Sequence, residues 1–441
     1  MIIIAGKNNI AVHGLELALR HFPAQALAVV CNRNDSGVDT WQRSLRAAAR
    51  RHAVKEISLE DAYELTTTAF LSLEFDQLVV PSRFSVANLF NIHFSQLPAY
   101  KGMFTSVWPL LHGRQEAAVT LHYIEPGIDT GDIVAQQTFP VPAWWTCRDL
   151  YFAFNQQAGQ LLEHWFLRLV GGSVDARPQA AEGSSYFSKT SINYAESGIA
   201  PVTTAWECVN KIRAFSFREY QLLKWQGRPV VSAGILDDKS TCKPGTVVRQ
   251  SDDYADIASI DFDVRLFFDR LPAMLQACER GDLETVIRLE QNIAGYDDAN
   301  EKGWTPLIVA SYAGAYEVVS WLLKKGASPN RANNKGTTPL MYAKDAYFSG
   351  RCRKTFFLLH QCGADLDALD HSGKHLSDYL TKAQFAELLT QLERYPANLL
   401  AGIVKSSQAG LTARARAGLT SRWAIANYAH AQFPGGRCSV R

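Results

Sequence analysis

The chain opens with Met1-Ile-Ile-Ile-Ala-Gly6 and reaches a second apolar run at Ala26-Leu-Ala-Val-Val-Cys31. Both runs are short and apolar, and a helical pattern separates them, which is typical of buried strands in an α/β sheet. Further strands are predicted at residues 77–80, 90–94, 119–124 and 132–139. We therefore predict an α/β domain over residues 1–200. Because Gly6 is isolated and does not complete a Gly-x-Gly-x-x-Gly motif, we expect no nicotinamide or flavin cofactor.

The composition limits the class of protein. Its 441 residues, at about 100–200 per domain, predict two to four domains. A formal net charge of +2 argues against binding of nucleic acid by bulk electrostatics, and 47% hydrophobic residues exclude wholesale disorder. The eight cysteines form no Cys-x-x-Cys pair, so we expect reduced thiols and no metal site. Without a basic leader or an apolar run of about 18 residues, the sequence predicts a cytoplasmic protein that does not insert into membranes.

Two further regions differ from the first domain in pattern. Residues 201–267 combine a helical stretch with short strand-like runs and turn signals at 226–229 and 243–245, which predicts a small β-rich domain. Residues 396–441 contain six Lys or Arg and no acidic residue, and we expect a basic, mobile tail there.

An internal repeat lies between these two regions. Gly303-Trp-Thr-Pro-Leu307 recurs as Gly336-Thr-Thr-Pro-Leu340, a spacing of 33 residues. The Thr-Pro step supplies a helix cap and a proline for the first helical turn. A period of 33 residues with this opening resembles ankyrin repeats, which implies an all-α repeat domain over residues 268–395. An insertion near residues 347–354 and a degenerate last copy at 373–376 are also predicted.

The residues that indicate chemistry lie between 91 and 133. Asn91 and His93 are two apart in a predicted strand, so they project to the same face, and Asp129 follows in Gly127-Ile-Asp-Thr-Gly131. A carboxamide and an imidazole on one face can stabilise the negative charge that builds on a carbonyl oxygen under attack by an amine. The imidazole can also accept the amine proton, and a nearby carboxylate would orient it.

Taken together, Asn91-Ile-His93, the following Ser95-Gln-Leu-Pro98 and the later Asp129 closely resemble the 10-formyltetrahydrofolate-dependent formyltransferases. The stretch 100–109 is similar to the branch that formylates amino sugars on nucleotide diphosphates. The resemblance implies a Rossmann-like catalytic domain followed by a small OB-like barrel. It also implies formyl transfer from 10-formyltetrahydrofolate to the amine of a dTDP-linked amino-dideoxyhexose, with Asn91, His93 and Asp129 as catalytic residues. Long members with ankyrin extensions resemble enzymes that act on dTDP-3-amino-3,6-dideoxyhexoses, which feed bacterial surface polysaccharide (O-antigen) synthesis, and the family implies a homodimer.

Several neighbouring residues are candidates for substrate binding. Ser95 and Gln96 line the sugar pocket or merely close the turn, and Lys101 meets a diphosphate or is a solvated turn lysine. Phe217 and Tyr220 surround a cation, Arg218, in a pattern that suits stacking of a nucleobase beside a phosphate. The alternative for Phe217 is packing in a core, and Tyr220 is the stronger candidate because it has a polar end.

The ankyrin region offers two interpretations. It is a structural or dimerising appendage, or it carries a second, non-catalytic nucleotide site built from Trp304, Tyr347 and Arg351. The second hypothesis rests on exposed aromatic residues beside arginines, which could stack on a base and bind phosphates.

Two alternative functions remain open from the sequence. A methionyl-tRNA formyltransferase-like enzyme would have the same mechanism, but residues 207–265 contain nine basic and nine acidic residues, whereas an RNA-binding barrel should be basic. An inactive ankyrin scaffold would have no chemical reason to keep Asn91, His93 and Asp129 together. We therefore favour the sugar enzyme. The position of the amine (C3 or C4) and the gluco or galacto configuration depend on pocket shape, which these residues do not specify.

Overall fold

A computed structural model describes residues 1–172, 174–194, 198–199 and 202–392 of the chain. These residues form two compact units: the first comprises 1–199 and 210–230, and the second comprises 202–209 and 231–392. The compact units therefore divide the region 201–267, which the sequence predicts as a separate domain. The tail predicted at 396–441 lies outside the described residues.

The first unit is built on a mixed sheet. Its strands are β1 (Ile2–Gly6), β2 (Leu27–Cys31), β3 (Lys55–Glu56), β4 (Ala69–Leu73), β5 (Leu89–His93), β6 (Lys101–Gly102), β7 (Glu116–Tyr123), β8 (Ile133–Pro140) and β9 (Tyr186–Phe187). Seven of them form one sheet in the order β3-β2-β1-β4-β5-β7-β8, while β6 and β9 form a separate parallel pair. Strands β1 to β5 pair in parallel, and β7 is antiparallel to both β5 and β8. The central strands β1, β2 and β4 are buried throughout and apolar except for Ser72, because both faces of a parallel sheet are covered.

Helices of different lengths lie within residues 1–172 of this unit. They are α1 (Asn8–His21), α2 (Leu45–Arg51), α3 (Leu59–Glu64), α4 (Trp108–Leu111) and α5 (Cys147–Gly171). A capping box begins α5: the Thr146 hydroxyl accepts from the Asp149 N–H, and the Asp149 carboxylate accepts from the Thr146 N–H.

The prediction of a strand at residues 77–80 is wrong. The strand of this region is β4, which ends where Glu74 adopts a φ of 56°. Residues 77–80 form an irregular loop in which Leu78 and Val80 are 76% and 45% exposed. Apolar content alone misled the sequence argument here, because these side chains are not covered by any layer of the fold.

The β-rich region follows, as predicted. It contains α6 (Ala205–Phe215) and the strands β10 (Lys224–Trp225), β11 (Arg228–Lys239), β12 (Val247–Gln250), β13 (Tyr254–Ile257) and β14 (Phe262–Phe268). A two-residue turn joins β10 to β11, and its Gln226 and Gly227 have φ of 48° and 80°, which is typical of a tight β-hairpin. Strands β12, β13 and β14 are antiparallel neighbours.

The rest of the described chain is helical and repetitive. The helices are α7 (Leu271–Arg280), α8 (Leu283–Arg288), α9 (Pro306–Ala313), α10 (Tyr316–Lys325), α11 (Pro339–Phe348), α12 (Lys354–Gln361) and α13 (Lys382–Leu392). Thr305 and Thr338 cap α9 and α11 by accepting from the N–H groups of Ile308 and Met341, as the Thr-Pro motif predicts. The apolar faces of these helices form one continuous core.

The first repeat is joined to the β-rich strands inside the second unit. The buried Asn292 donates from Nδ2 to the carbonyls of Asp253 and Phe268, at 2.6 and 2.8 Å. Arg288 also pairs with the Asp253 carboxylate at 2.6 Å. Within the described residues, no helix combines the length and the apolar character that a bilayer span requires.

Candidate active site

The pairing of β5 with β7 assembles the polar centre of the first unit. Asn91 lies opposite His122, and His93 lies opposite Thr120. Because side chains alternate along a strand, all four project from the same face of the sheet. His93 is the last residue of β5, a strand of the parallel part of the sheet, and the carboxyl ends of such strands are where α/β sheets bind ligands.

A tight turn brings Asp129 to this face. Asp129 has a φ of 54°, and the Gly131 that follows approaches the Tyr123 carbonyl so closely that an added Cβ would lie 1.9 Å from its oxygen. The Asp129 carboxylate accepts from the Gly102 N–H at 2.9 Å and from Asn91 Nδ2 at 3.3 Å. Its Oδ1 also lies 3.5 Å from His93 Nδ1. The structure therefore brings Asn91, His93 and Asp129 into one cluster.

The ring of His93 is held at both nitrogens. Nε2 lies 2.9 Å from the Tyr100 carbonyl, which can only accept, so Nε2 carries a proton. Nδ1 faces Asp129 and is the nitrogen that can take up a second proton. The Tyr100 carbonyl, which the sequence argument did not consider, thus selects the tautomer, while Asp129 faces the basic nitrogen.

His122 is a member of the cluster that the sequence argument missed. Its Nδ1 lies 2.7 Å from the Tyr123 carbonyl, so Nε2 is free to accept from Asn91 Nδ2 at 3.0 Å. The available signal was its alternation with Thr120: these two polar residues share one face of the buried part of β7, whose other residues are apolar. A buried polar pair of this kind needs partners, and β5 supplies them.

The charge of the cluster favours an ionised Asp129. Burial opposes ionisation, but the charge of His93, the contact with His122 and the Gly102 N–H outweigh it and lower the pKa of the Asp129 carboxyl to about 2. The site therefore holds a permanent carboxylate beside an imidazole and a carboxamide. This arrangement can orient a base and stabilise positive charge on it.

The predicted neighbours of the cluster differ in exposure. Ser95 is buried and donates to the Ala99 carbonyl at 2.8 Å, so its hydroxyl closes the turn. This contact agrees with the second of the two interpretations given for Ser95 above. Gln96 is exposed and Lys101 is partly exposed, and Lys101 lies in β6 directly before Gly102, the donor to Asp129. Gln96 and Lys101 remain predictions for substrate contact.

Phe217 and Tyr220 lie in an aromatic group that includes Trp41. Phe217 is buried, and its ring centroid lies 5.3 Å from that of Trp41; Tyr220 is 61% exposed and lies 5.5 Å from the same ring. Phe217 therefore packs beneath the surface, while Tyr220 presents its ring to solvent. Tyr151 contacts Phe217 and donates to Glu74, so a polar network adjoins these rings. The sequence argument missed Trp41, since a lone tryptophan in a loop carries no pattern.

The residues of the predicted ankyrin site are only partly brought together. The expectation that Tyr347 is exposed is wrong: it is 1% exposed, it packs in the repeat core, and its hydroxyl donates to Glu387. The helical periodicity of α11 turns this ring inward. Trp304 instead lies 4.9 Å from the ring of Tyr342, and the Arg351 guanidinium lies 5.0 Å from the ring centroid of Tyr312.

Comparisons with known proteins agree with this organisation. The family model described as "Formyl transferase" matches residues 2–165, and the model "Ankyrin repeats (3 copies)" matches residues 274–370. A methionyl-tRNA formyltransferase from Bordetella petrii is 27% identical over 275 residues, which are 58% of this chain and 80% of that protein.

Two solved structures are more similar in sequence. An N-formyltransferase from Helicobacter canadensis, crystallised with folinic acid and dTDP-3-aminofucose, is 40% identical with a TM-score of 0.57, covering 60% of this chain and 98% of that one. The sugar 3N-formyl transferase WlaRD, crystallised with dTDP and 5-N-formyl-THF, is 37% identical with a TM-score of 0.56, covering 60% and 97%. The chain therefore belongs to the formyl transferase family, as an enzyme that carries ankyrin repeats behind its catalytic region.

Proposed function

We propose that this formyltransferase moves the formyl group of 10-formyltetrahydrofolate to the amine of a dTDP-linked 3-amino-3,6-dideoxyhexose of gluco or galacto configuration. The observation that carries the chemistry is the contact cluster of Asn91, His93 and Asp129. The choice of a sugar acceptor is supported by the N-formyltransferase with folinic acid and dTDP-3-aminofucose, which this chain covers over 98% of its length at 40% identity.

His93 acts as the base in this proposal. The sugar amine attacks the formyl carbon, a C–N bond forms, and the amine proton passes to Nδ1 of His93. Because Asp129 is ionised and 3.5 Å away, it stabilises the imidazolium that results. Loss of the tetrahydrofolate nitrogen from the same carbon then completes the transfer, and the imidazolium supplies the proton that this leaving nitrogen needs.

Asn91 polarises the formyl oxygen. Both of its amide hydrogens are directed at partners, one at His122 Nε2 and one at Asp129 Oδ1. The contact to Asp129, at 3.3 Å, is the longer of the two, so it is the one we expect a bound formyl oxygen to replace. His122 then keeps the amide plane in place during the exchange.

The surroundings fit a large, partly apolar donor. Gly102 and Asp129 are joined by a hydrogen bond. Met103, which follows Gly102, is 46% exposed, and Ile128, which precedes Asp129, is 39% exposed. Exposed apolar side chains beside a polar cluster are suited to a flat heterocycle. The bound folate would supply only the activated formyl group, and every proton step is assigned to the chain.

For the nucleotide we propose Tyr220 and Trp41 as the stacking surface, with Phe217 as its support. Tyr220 is exposed and its ring borders Trp41, so it can stack on a base and offer its hydroxyl as a hydrogen-bond donor. Lys101 and Gln96 are proposed to contact the diphosphate and the sugar.

An aminoacyl-tRNA acceptor is the second candidate. The methionyl-tRNA formyltransferase from Bordetella petrii is 27% identical to this chain, whereas the sugar enzyme from Helicobacter canadensis is 40% identical. The balanced charge of residues 207–265 also gives this region no net positive charge that would attract RNA phosphates.

The test incubates the full chain with 10-formyltetrahydrofolate and either a panel of dTDP-amino sugars or charged initiator tRNA. We expect a formylated sugar, identified by product mass and NMR, and a loss of about 10³-fold in kcat for His93→Ala because general base catalysis is removed. His21→Ala, a change of an exposed histidine on α1, serves as the matched control. Turnover with charged tRNA only would reject the sugar acceptor.

We also propose that the ankyrin region binds a second nucleotide without catalysis. The supporting observation is the aromatic group of Trp304, Tyr312 and Tyr342 with Arg351 over one of its rings. Aromatic rings beside a guanidinium can stack on a base and bind phosphate oxygens. Tyr347 no longer belongs to this proposal because it is buried.

Equilibrium binding of dTDP by calorimetry tests the second site. We expect two binding events per chain in the wild type and one in Trp304→Ala combined with Arg351→Ala. Unchanged stoichiometry in that double variant would remove these residues from the proposal.

We further propose that the protein is a cytoplasmic homodimer and that its product supplies surface polysaccharide. Light scattering of the purified chain tests the dimer.

A further inference from the structure

One segment of the first unit contacts both halves of the catalytic cluster. We call residues 177–187 the strap. At one end it pairs with the start of β8, since Ile133 and Arg177 exchange backbone hydrogen bonds of 2.8 and 2.9 Å. At the other end, its last two residues are β9, which pairs with β6. The strap therefore connects the turn that carries Asp129 with the loop that follows His93.

The near end of the strap holds the backbone of the Asp129 turn. The side chain of Gln179 donates from Nε2 to the carbonyls of Asp129 and Gly131, at 2.8 Å each. Both partners are backbone carbonyl oxygens, which only accept hydrogen bonds. The side-chain atom of Gln179 that faces them must therefore be the donor, Nε2. Gln179 Oε1 is buried and has no partner in the described part of the chain, so the anchoring is done by Nε2.

The far end of the strap holds the loop that supplies the other contacts. Ser185 accepts from the Tyr100 N–H through its hydroxyl at 2.8 Å, and Met103 N–H donates to the Phe187 carbonyl at 2.8 Å. Between these two anchors lie the Tyr100 carbonyl, which binds His93 Nε2, and the Gly102 N–H, which binds Asp129. The groups that orient His93 and Asp129, the Tyr100 carbonyl and the Gly102 N–H, are thus backbone groups, and contacts with the strap fix their positions.

The turn at Asp129 needs such support. A φ of 54° at a residue with a side chain is an unfavourable conformation that persists only where surrounding contacts require it. If the turn relaxes, the carboxylate moves away from His93 Nδ1 and the Gly102 N–H. A displacement of about 1 Å at a catalytic group can lower the rate about 10²-fold.

We infer that Gln179 is a positioning residue for catalysis: its amide N–H groups hold the backbone of the Asp129 turn so that the carboxylate faces His93. This role rests on the proposed function, since it assumes that Asp129 and His93 serve the formyl transfer. Gln179 itself touches neither of these side chains; it acts on the turn through two backbone oxygens.

Two variants test the role by steady-state kinetics with both substrates. Gln179→Met keeps the length of the side chain but removes both donors, and Gln179→Glu directs a carboxylate at two carbonyl oxygens. We expect kcat to fall about 10²-fold in both variants while KM for each substrate changes less than about threefold, because geometry is lost and binding contacts remain. Gln137→Glu, which alters a glutamine that contacts Gln157 on the same unit, is the matched control and should retain wild-type kcat.

The pH profile separates positioning from a general loss of structure. The carboxyl introduced by Gln179→Glu lies among acceptors, so protonation lets it donate one of the lost hydrogen bonds. The ratio of variant to wild-type kcat should therefore rise as the pH falls from about 8 to about 5.5, whereas the ratio for Gln179→Met should stay constant.

The outcomes distinguish this inference from the proposed function. A kcat within twofold of wild type for both Gln179 variants would overturn the positioning role, even if the wild type formylates a dTDP-amino sugar. A wild type that formylates no sugar rejects the proposed function instead. If the midpoint of thermal unfolding shows that a variant is destabilised, Gln179→Asn takes its place. The Asn side chain keeps the donors but is too short to reach both carbonyls, so this variant should show the same loss of kcat.

Discussion

Asp129 combines an unfavourable backbone conformation with a buried, ionised side chain. The charge of His93, the contact with His122 and the Gly102 N–H lower the pKa of its carboxyl to about 2 despite burial. A carboxyl whose pKa is depressed in the folded state stabilises that state at every pH above its ordinary pKa, near 3.9, and the contribution is lost as the pH falls through the folded value. The ionised Asp129 carboxylate therefore stabilises the folded state at neutral pH, and this stabilisation is lost in acid.

Asp129→Asn tests this charge without altering the turn, because Asn adopts positive φ readily. We expect the free energy of unfolding at pH 7 to fall by about 2 kcal/mol, since a pKa shift of two units corresponds to about 2.7 kcal/mol and the amide keeps part of the contact. Urea unfolding between pH 7 and pH 2 should show the difference from wild type shrinking below about pH 4. A difference that does not depend on pH would show that shape, not charge, is responsible.

Tyr220 is the second residue at which a single change is informative. Stacking of a base on an aromatic ring contributes about 1–3 kcal/mol, so Tyr220→Ala should raise KM for the dTDP-sugar about tenfold or more and leave kcat nearly unchanged. Steady-state kinetics with the sugar varied at saturating formyl donor measures both constants. A fall in kcat with constant KM would place Tyr220 outside the nucleotide pocket.

At the scale of elements, the site depends on how the turn between β7 and β8 closes. Gly131 lies against the Tyr123 carbonyl, and the neighbouring Tyr123 N–H pairs with the Asp132 carbonyl at 3.0 Å. Only a residue without Cβ permits this approach of two backbone segments. The same turn carries Asp129, so the position of its carboxylate depends on how this hairpin folds.

Gly131→Ala should therefore damage both stability and activity. A Cβ placed 1.9 Å from a backbone oxygen forces the hairpin apart, and we expect a loss of about 3 kcal/mol or more in the free energy of unfolding. Gly171→Ala, at the end of α5 with open space around the added carbon, should change the free energy by less than about 0.5 kcal/mol. Equal stability of the two variants would contradict the packing of this turn.

At the scale of the whole molecule, the chain is organised as two compact units, and the repeats share their unit with β-rich strands. Asn292 joins the first repeat to those strands through two carbonyls. The ankyrin helices therefore do not begin after an independent linker: the segment that follows their first helix pair is hydrogen-bonded to the preceding hairpin.

Asn292→Ala tests this continuity. Two buried carbonyls would lose their donor, which should lower the stability of the second unit by about 2–3 kcal/mol. Hydrogen exchange should become faster in the strands β13 and β14 as well as in α7, while the first unit keeps its protection. Asn330→Ala, which removes an exposed side-chain contact between repeats, is the control. Faster exchange confined to the helices would show that strands and repeats unfold separately.

Much of this organisation could be predicted from local patterns. Buried strands of a parallel sheet are continuous apolar runs, the Thr-Pro step caps a helix, and a period of 33 residues marks stacked repeats. Asn91 and His93 share a face because alternation along a strand is a property of the backbone. These features depend on neighbours within a few residues, so the sequence states them directly.

Other features follow from contacts between distant segments. The loop at 77–80 is apolar yet exposed, and Tyr347 is buried although it lies in a predicted insertion, because burial depends on what the fold places opposite a side chain. His122 alternates with Thr120, but only the strand register places it beside Asn91. Gln179 contacts a residue 50 positions away in the sequence, and no local pattern encodes that contact. The residue types of the catalytic trio could thus be identified from the sequence alone, whereas the tautomer of His93, the charge of Asp129 and the support from Gln179 depend on side-chain and backbone groups that only folding brings within hydrogen-bonding distance.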